Sequence, residues 1–227
     1  MPWQKKKKNG RTAYSEPARL DFPDQEKAYP WLSMLFDAFY SADQDIYGAI
    51  ESDMKKGRVL ACAKGCSSCC QTHVTIPVYP LELMGIYWYL LDRAPREMFE
   101  AISARMLDFV PGQGCPFLVE GVCGIHPARP LACRIFNVFS KPCADGEDLY
   151  YSRRNDVWTP DERQKDRALS KMLPYHGIVQ RAERREAMKN GFLLRFVKNL
   201  QEINWPGIAI RLNNRDRGPM NEKAFLP

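Results

Sequence analysis

The chain has 227 residues and a hydrophobic fraction of 45%, which is enough for one core of ordinary size. A domain of this size does not need disulfide bonds to hold its core, so its eight cysteines require another explanation. The formal net charge is +6, and part of it lies in a basic block formed by Lys5–Lys8 and Arg11. No aromatic residues alternate with this block, so a solvated end is favoured and nucleic acid is not expected as a partner.

The longest apolar-rich run extends from Leu81 to Leu91 and contains Glu82. A membrane-spanning helix needs about 20 apolar residues, so we expect no membrane partner. The lysine block is not followed by an apolar stretch, and we therefore expect no export signal. These features predict a soluble, cytoplasmic protein, in which thiols stay reduced and clustered cysteines serve metal binding or catalysis.

Segment 1–27 is polar and basic, and we expect it to be a flexible lead-in. Four later segments have apolar residues at intervals of three and four, and each predicts a helix: 31–40, 43–56, 80–91 and 95–109. Gly57 is the expected stop of the second of these helices. The β-branched stretch 73–78 predicts a short strand, which Pro77 confines to the edge of a sheet.

Residues 111–145 are typical of loops and tight turns, and Glu120–Gly121 predicts a β-hairpin turn between two apolar patches. Pro130 predicts the start of a short helix that carries the seventh cysteine. A strong helix start at 159–162 predicts a helix that continues to residue 202, with a break near Pro174 and Gly177.

Together these elements predict a mainly α-helical protein with a small β-hairpin element and an irregular, cysteine-rich metal-binding centre packed between helices. We expect a flexible basic N-terminal segment (1–27), a single helical domain (28–205) with a cysteine-cluster core (58–145), and an irregular C-terminal tail (206–227).

The cysteines form two sets along the chain. The first set is Cys62, Cys66, Cys69 and Cys70, and the second is Cys115, Cys123, Cys133 and Cys143. Thiolates are soft ligands that suit zinc, copper(I) and iron–sulfur clusters. The two-residue gap between Cys66 and Cys69 is typical of zinc knuckles and cluster loops. Neighbouring side chains diverge, so the adjacent pair Cys69–Cys70 favours more than one site or one polynuclear cluster.

Three cationic neighbours, Lys64, Arg129 and Arg134, are expected to offset thiolate charge and to lower thiol pKa values. The ligands that we expect first are Cys62, Cys66, Cys69, Cys115, Cys123 and Cys133, followed by Cys70 and then Cys143. His73 and His126 lie close in sequence to the two sets, and each could be a further ligand or a structural residue. Redox chemistry by thiols without a metal also stays open.

The spacing C-x3-C-x2-C-C is followed by C-P-F-L, G-x-C-x-I and R-P-x-x-C-R-x-F. This pattern, over roughly 58–140, resembles the bacterial YkgJ-like CxxCxxCC cysteine-cluster family, which is described as a zinc- or iron-chelating domain. The chain departs from it at His126, where the family more often has an aromatic residue. The resemblance implies metal or iron–sulfur binding without an assigned reaction. Flagellin lysine N-methylases are similar in their cysteine cluster, which implies a link to S-adenosylmethionine.

We therefore predict a cytoplasmic metal-cluster protein that holds an iron–sulfur cluster, of the 4Fe-4S type, in a redox or cluster-dependent modification role. The alternative is a structural zinc-binding module that mediates protein interaction. The expected partners are metal ions and a protein substrate or redox partner. Neither a catalytic residue nor an enzyme class is predicted. Because about 45 residues separate Cys70 from Cys115, the metal hypothesis requires that the two sets meet in the fold.

Overall fold

The computed structural model describes residues 16–63 and 65–214. The basic block Lys5–Lys8 with Arg11, and also Lys64, lie outside the described residues. Within them the α-helices are α1 Pro23–Ala28, α2 Trp31–Lys55, α3 Ser68–Thr72, α4 Pro80–Asp92, α5 Arg96–Leu107, α6 Leu131–Ile135, α7 Leu149–Ser152, α8 Glu162–Leu169, α9 Arg181–Lys189 and α10 Trp205–Asn213. The predicted, mainly helical fold class is confirmed.

Two antiparallel pairs of very short strands accompany the helices. The strands are β1 Pro77–Val78, β2 Leu118–Val119, β3 Val122–Cys123 and β4 Lys198–Asn199, with β1 paired to β4 and β2 to β3. The β2–β3 pair is the predicted hairpin, and its turn residues Glu120 and Gly121 have φ angles of 48° and 76°. Positive φ at both central residues is the geometry of a type I′ turn, whose twist suits a two-residue hairpin.

Helix α2 is one continuous helix, whereas the sequence predicts separate helices over 31–40 and 43–56. No glycine or proline interrupts the junction, and Ala42 and Asp43 are both buried there. The continuous buried face gives the backbone no reason to break. Gly57, with a φ of 85°, follows the end of the helix as predicted.

The largest apolar cluster lies where α2 packs against α4 and the segment after α8; its fully buried members include Leu32, Leu35, Phe36, Phe39, Met84, Trp88, Met172 and Leu173. Gly85 allows α2 and α4 to approach each other, because a Cβ there would lie 2.2 Å from Cδ2 of Leu35. No helix among the described residues combines the length and the apolar character needed to cross a bilayer.

A second cluster joins α4, α5 and α10 beneath the hairpin. Ile102, Phe117 and Trp205 are fully buried in it, and Trp205 Nε1 donates a hydrogen bond of 2.8 Å to the Leu200 carbonyl. This cluster corrects the irregular tail predicted from residue 206. The buried Ala209 gives residues 205–213 an apolar face, which forms a helix against α5.

Two other expectations about the ends of the domain differ in part from the structure of the described residues. Residues 16–27, predicted as flexible, include most of α1, and Arg19 donates hydrogen bonds of 2.7 Å to Glu26 and Asp37. The helix predicted from 159 to 202 has its predicted break, at the 3-10 turn Leu173–His176 and Gly177. It is further divided into α8, α9, other short 3-10 turns and β4. Gly177 and Gly191, with φ angles of 79° and 63°, change the chain direction between these pieces.

A buried ion pair connects α2 with α6. Arg134 is 5% exposed and donates a hydrogen bond of 2.8 Å to Oδ2 of Asp43. It also donates to the backbone carbonyls of Arg129 and Pro127, and its Cζ atom lies 3.9 Å from the ring centroid of Phe39. The guanidinium therefore fixes the loop before α6 against the long helix.

Glu82 is a second buried charged residue, and it connects α4 with α6. Its two carboxylate oxygens accept hydrogen bonds from the backbone N–H groups of Tyr79 at 2.8 Å and Leu131 at 2.6 Å. Burial raises the pKa of Glu82 to about 7. The first turn of α6, and with it the position of Cys133, is thus held from two sides.

The substitution Glu82→Ala is expected to lower the free energy of unfolding by roughly 2–4 kcal/mol, because two buried N–H groups lose their acceptor. Glu82→Gln keeps one acceptor oxygen and is expected to lose less. Denaturant unfolding measures both values, with Glu97→Ala on the exposed face of α5 as the control. Equal stabilities of the Glu82→Ala and Glu97→Ala variants would contradict the assigned role.

Candidate metal centre

The first cysteine of the cluster is fixed by the segment that follows α6. Leu60 and Phe139 form an isolated β-bridge, and the Ala61 N–H donates a hydrogen bond of 2.8 Å to the Val138 carbonyl. The Val138 N–H in turn donates to Sγ of Cys62 at 3.3 Å. A hydrogen bond of this kind favours the thiolate form.

The vicinal pair lies on the short helix α3. Gly65, with a φ of 84°, turns the chain before it, and Cys66 is exposed on this turn. Successive side chains of a helix point about 100° apart. The Cys69 and Cys70 thiols nevertheless interact with each other and share Cys123 and Cys133 as neighbours.

The two cysteine sets meet at a backbone hydrogen bond. The Cys115 N–H donates to the Cys70 carbonyl at 2.7 Å. Gly114 allows this approach, since its φ is 86° and a Cβ there would lie 3.3 Å from the same carbonyl oxygen. The juxtaposition that the metal hypothesis requires is therefore present in the fold.

The remaining cysteines of the second set are carried by the hairpin, by α6 and by the loop after it. Cys123 lies on β3, and the adjacent Gly124 packs so tightly on α5 that a Cβ would lie 2.6 Å from Cδ1 of Ile102. Cys133 lies on α6, and Cys143 packs in the small apolar cluster that also contacts Cys62.

Interactions between the thiols divide the eight cysteines into two groups that share one member. The loop group is Cys62, Cys66, Cys69 and Cys143, and the hairpin group is Cys69, Cys70, Cys115, Cys123 and Cys133. Burial raises the pKa of Cys62 to about 11, and the other loop-group thiols add to this shift. A hydrogen bond to the Cys115 thiol raises the pKa of Cys70 to about 12, and burial adds to it.

The expected lowering of thiol pKa values by a cationic neighbour is present, but it does not set the net direction of the shifts. Arg129 favours the thiolate forms of Cys69, Cys123 and Cys133, but all three pKa values are raised. For Cys69 the hydrogen bond with Cys70 outweighs the arginine, and for Cys123 and Cys133 burial does. Thiols of this kind keep their protons until a metal ion replaces them.

The two histidines near the cluster differ in their contacts. Nε2 of His126 accepts a hydrogen bond of 3.0 Å from Arg129, because a guanidinium can only donate. Burial, together with the charge of Arg129, lowers the pKa of His126 to about 3. Nδ1 of His73 lies 3.0 Å from Oγ1 of Thr72, and its buried Nε2 has no partner among the described residues.

In residues 16–63 and 65–214, no three His, Cys, Asp or Glu side chains converge closely enough to enclose a metal ion. The thiols of these residues lie in the same region of the fold, but no three of them converge on a single point. The chemistry of the donors still fits a soft metal ion, because eight cysteine sulfurs from separate loops lie in two overlapping groups. The buried Nε of Arg129, which has no partner in the described part, supplies an unused donor beside them.

Four residues that organise the centre are not among the residues that the sequence predicts for it: Asp43, Glu82, Gly114 and Asn137. Asn137 donates a hydrogen bond of 2.9 Å to the Arg134 carbonyl and is buried. Glu82 gives a signal in the sequence, because it is the one charged residue in an apolar run. Asp43 gives a weaker signal, and Asn137 gives none although its partner is only three residues away. Gly114 gives none because the Cys70 carbonyl that it approaches is distant in the chain.

Residues 61–163 match the model of a family described as "CxxCxxCC: Putative zinc- or iron-chelating domain". The match confirms the predicted resemblance, and it extends beyond the predicted 58–140 to include Cys143. All eight cysteines lie within it. No curated protein and no solved structure matches the chain.

Gly114→Ala is expected to destabilise the centre more than Gly112→Ala does. Both positions have positive φ, of 86° and 87°, so each substitution costs about 1–2 kcal/mol of backbone strain. Only the Cβ at position 114 also crowds the Cys70 carbonyl, whereas nothing lies within 4 Å of a Cβ at position 112. Unfolding free energies and the metal content after loading measure the difference, and equal values for the two variants would contradict the close approach.

The reduced, metal-free protein is expected to lose stability at alkaline pH. The pKa values of Cys62 and Cys70 are about 11 and about 12 in the fold. In the unfolded chain thiols ionise near pH ~8.5, so their contribution is complete below that pH and is lost as the pH rises through about 11 to 12. Denaturant unfolding at several alkaline pH values measures this loss. A Cys62→Ser/Cys70→Ser variant should show a flatter pH dependence, and an unchanged slope would contradict the burial of these thiols.

Proposed function

We propose that the cysteine centre holds an iron–sulfur cluster, of the 4Fe-4S type, or a related polynuclear site, and that the protein serves a redox or cluster-dependent modification role in the cytoplasm. The observation that carries this proposal is the gathering of eight thiols into two overlapping groups that share Cys69. A zinc ion and a 4Fe-4S cluster each take four ligands, so a single one of either would leave half of these thiols unused. More than one site, or one larger polynuclear centre, gives a use to the excess.

The ligands proposed first are Cys62, Cys66, Cys69, Cys115, Cys123 and Cys133, with Cys70 and Cys143 after them. A bound cluster would supply electron transfer or Lewis-acid chemistry at this place. The chain contributes a graded environment, since Cys115 is buried whereas Cys66 is exposed. The exposed edge at Cys66 offers a protein substrate or redox partner the shortest approach to the centre.

A structural zinc site is the second candidate, and one observation favours it. The strands β2 and β3 have two residues each, and the loops around them contain little regular structure. A metal crosslink between such loops contributes folding free energy directly. In that case the helices would present a surface to a protein partner and the metal would not react.

Anaerobic purification of the full chain, followed by metal analysis and electron paramagnetic resonance, separates the two candidates. The proposal expects a brown protein that contains iron and acid-labile sulfide and has a paramagnetic signal in one oxidation state. A colourless protein that retains stoichiometric zinc after the same preparation would contradict the cluster and support the structural site.

Serine substitutions then test the shared position of Cys69. Cys69→Ser is expected to remove more iron than Cys62→Ser or Cys133→Ser, because only Cys69 belongs to both groups. Ser68→Ala on the same short helix is the matched control and is expected to keep the full iron content. Circular dichroism distinguishes loss of metal from loss of fold, and equal iron loss in the three cysteine variants would contradict the shared position.

A further inference from the structure

Arg129 differs from the other arginine of the centre in its partners. Arg134 is neutralised by Asp43, whereas no ion pair between described residues includes Arg129. The Nε atom of Arg129 is buried and has no hydrogen-bond partner in the described part of the chain. A buried donor without an acceptor lowers the stability of the fold, so its retention points to an acceptor that binds there.

The side chain is oriented from two directions. Its Nη1 donates a hydrogen bond of 3.0 Å to Nε2 of His126, and its backbone carbonyl accepts one of 3.0 Å from Arg134. The 3-10 turn His126–Ala128 and Pro130 at the start of α6 enclose this position in the chain. The guanidinium is therefore held in place before any ligand binds.

The charge of Arg129 acts on three thiols of the hairpin group, which are Cys69 on α3, Cys123 on β3 and Cys133 on α6. When thiols bind a metal they lose their protons, and a site with four thiolates and a divalent ion carries a net negative charge. Such a site needs a nearby cation and N–H donors toward its sulfurs. Among the described residues, Arg129 supplies at this position a cation without an ion pair and an Nε–H without an acceptor.

We propose that Arg129 is a positioning residue that donates its Nε–H to a metal-bound thiolate of the hairpin group and offsets the negative charge of the metal centre. This inference rests on the proposed metal function and deepens it. It also gives His126 a role, because the imidazole orients the arginine instead of binding the metal. The place where the chain departs from the family pattern is thus next to the residue that would tune the site.

The test measures Zn²⁺ and Fe²⁺ affinities of the reduced full chain by competition with a chromophoric chelator under anaerobic conditions. Arg129→Gln is expected to weaken metal binding by roughly 10- to 100-fold, the usual cost of removing an outer-shell partner. Arg129→Lys keeps the charge without the planar guanidinium, and its metal affinity is expected to lie between those of Arg129→Gln and the wild-type chain. Arg154→Gln is the matched control, because Arg154 stacks on Tyr150 at 4.4 Å and is expected to leave affinity unchanged.

The unfolding free energy of the metal-free variants separates tuning from folding. We expect it to be the same for Arg129→Gln and the wild-type chain, with the difference emerging only after metal is added. Wild-type affinity in Arg129→Gln overturns the inference while the metal function stands. A wild-type chain that binds neither ion overturns the proposed function and this inference with it. Equal weakening in both Arg129 variants, together with a destabilised metal-free protein, assigns Arg129 to folding and also overturns the inference.

Discussion

The buried pair Arg134–Asp43 is the constraint on which the geometry of the centre depends. Removing two charges from water costs several kcal/mol per ion, and the cost is recovered only when geometry and hydrogen bonding are complete. Here Asp43, the carbonyls of Arg129 and Pro127, and the ring of Phe39 satisfy the guanidinium. Because Asp43 lies on the long helix and the carbonyls on the loop before α6, the pair sets the distance between the helical core and the cysteine loops. Loss of either partner would leave an unpaired buried charge and release that loop.

Two arginines beside the centre have separate tasks, and the difference comes from their partners. Arg134 is paired with the Asp43 carboxylate and holds the loop, and among the thiols its charge acts on Cys123. Arg129 has no carboxylate partner among the described residues, and its charge acts on three thiols. The hydrogen bond with Cys70 outweighs that charge at Cys69, and burial outweighs it at Cys123 and Cys133, so the thiols remain protonated in the absence of a metal. In the metal-free protein the thiols are neutral and therefore do not repel one another. Arg129 can then offset their negative charge when they ionise on binding a metal.

Several local features follow from spacing alone. The helices over 80–91 and 95–109 have apolar residues at helical intervals, and the structure contains α4 and α5 there. The Glu120–Gly121 turn needs only its own residues to adopt a positive φ, so the hairpin was predictable. Composition and spacing likewise identify the cysteine segment, which the family match supports over 61–163. The continuous α2 was missed because its unbroken course depends on what its middle buries.

Contacts between distant parts of the chain could not be predicted, and they carry most of the chemistry. Cys143 stands last in the order of expected ligands, yet its thiol joins the loop group because the loop after α6 folds back on Cys62. Thiol pKa values depend on burial and on neighbouring sulfurs, so the nearby arginines in the sequence gave the wrong net direction. The sequence by itself therefore determined the type of donor, because the two sets of cysteines supply soft sulfur ligands. Only the tertiary structure decided which of those donors lie close together, through the packing around Gly114, Glu82 and Arg134. The reason is that a close approach between residues distant in the chain depends on the shape and charge of the side chains packed between them.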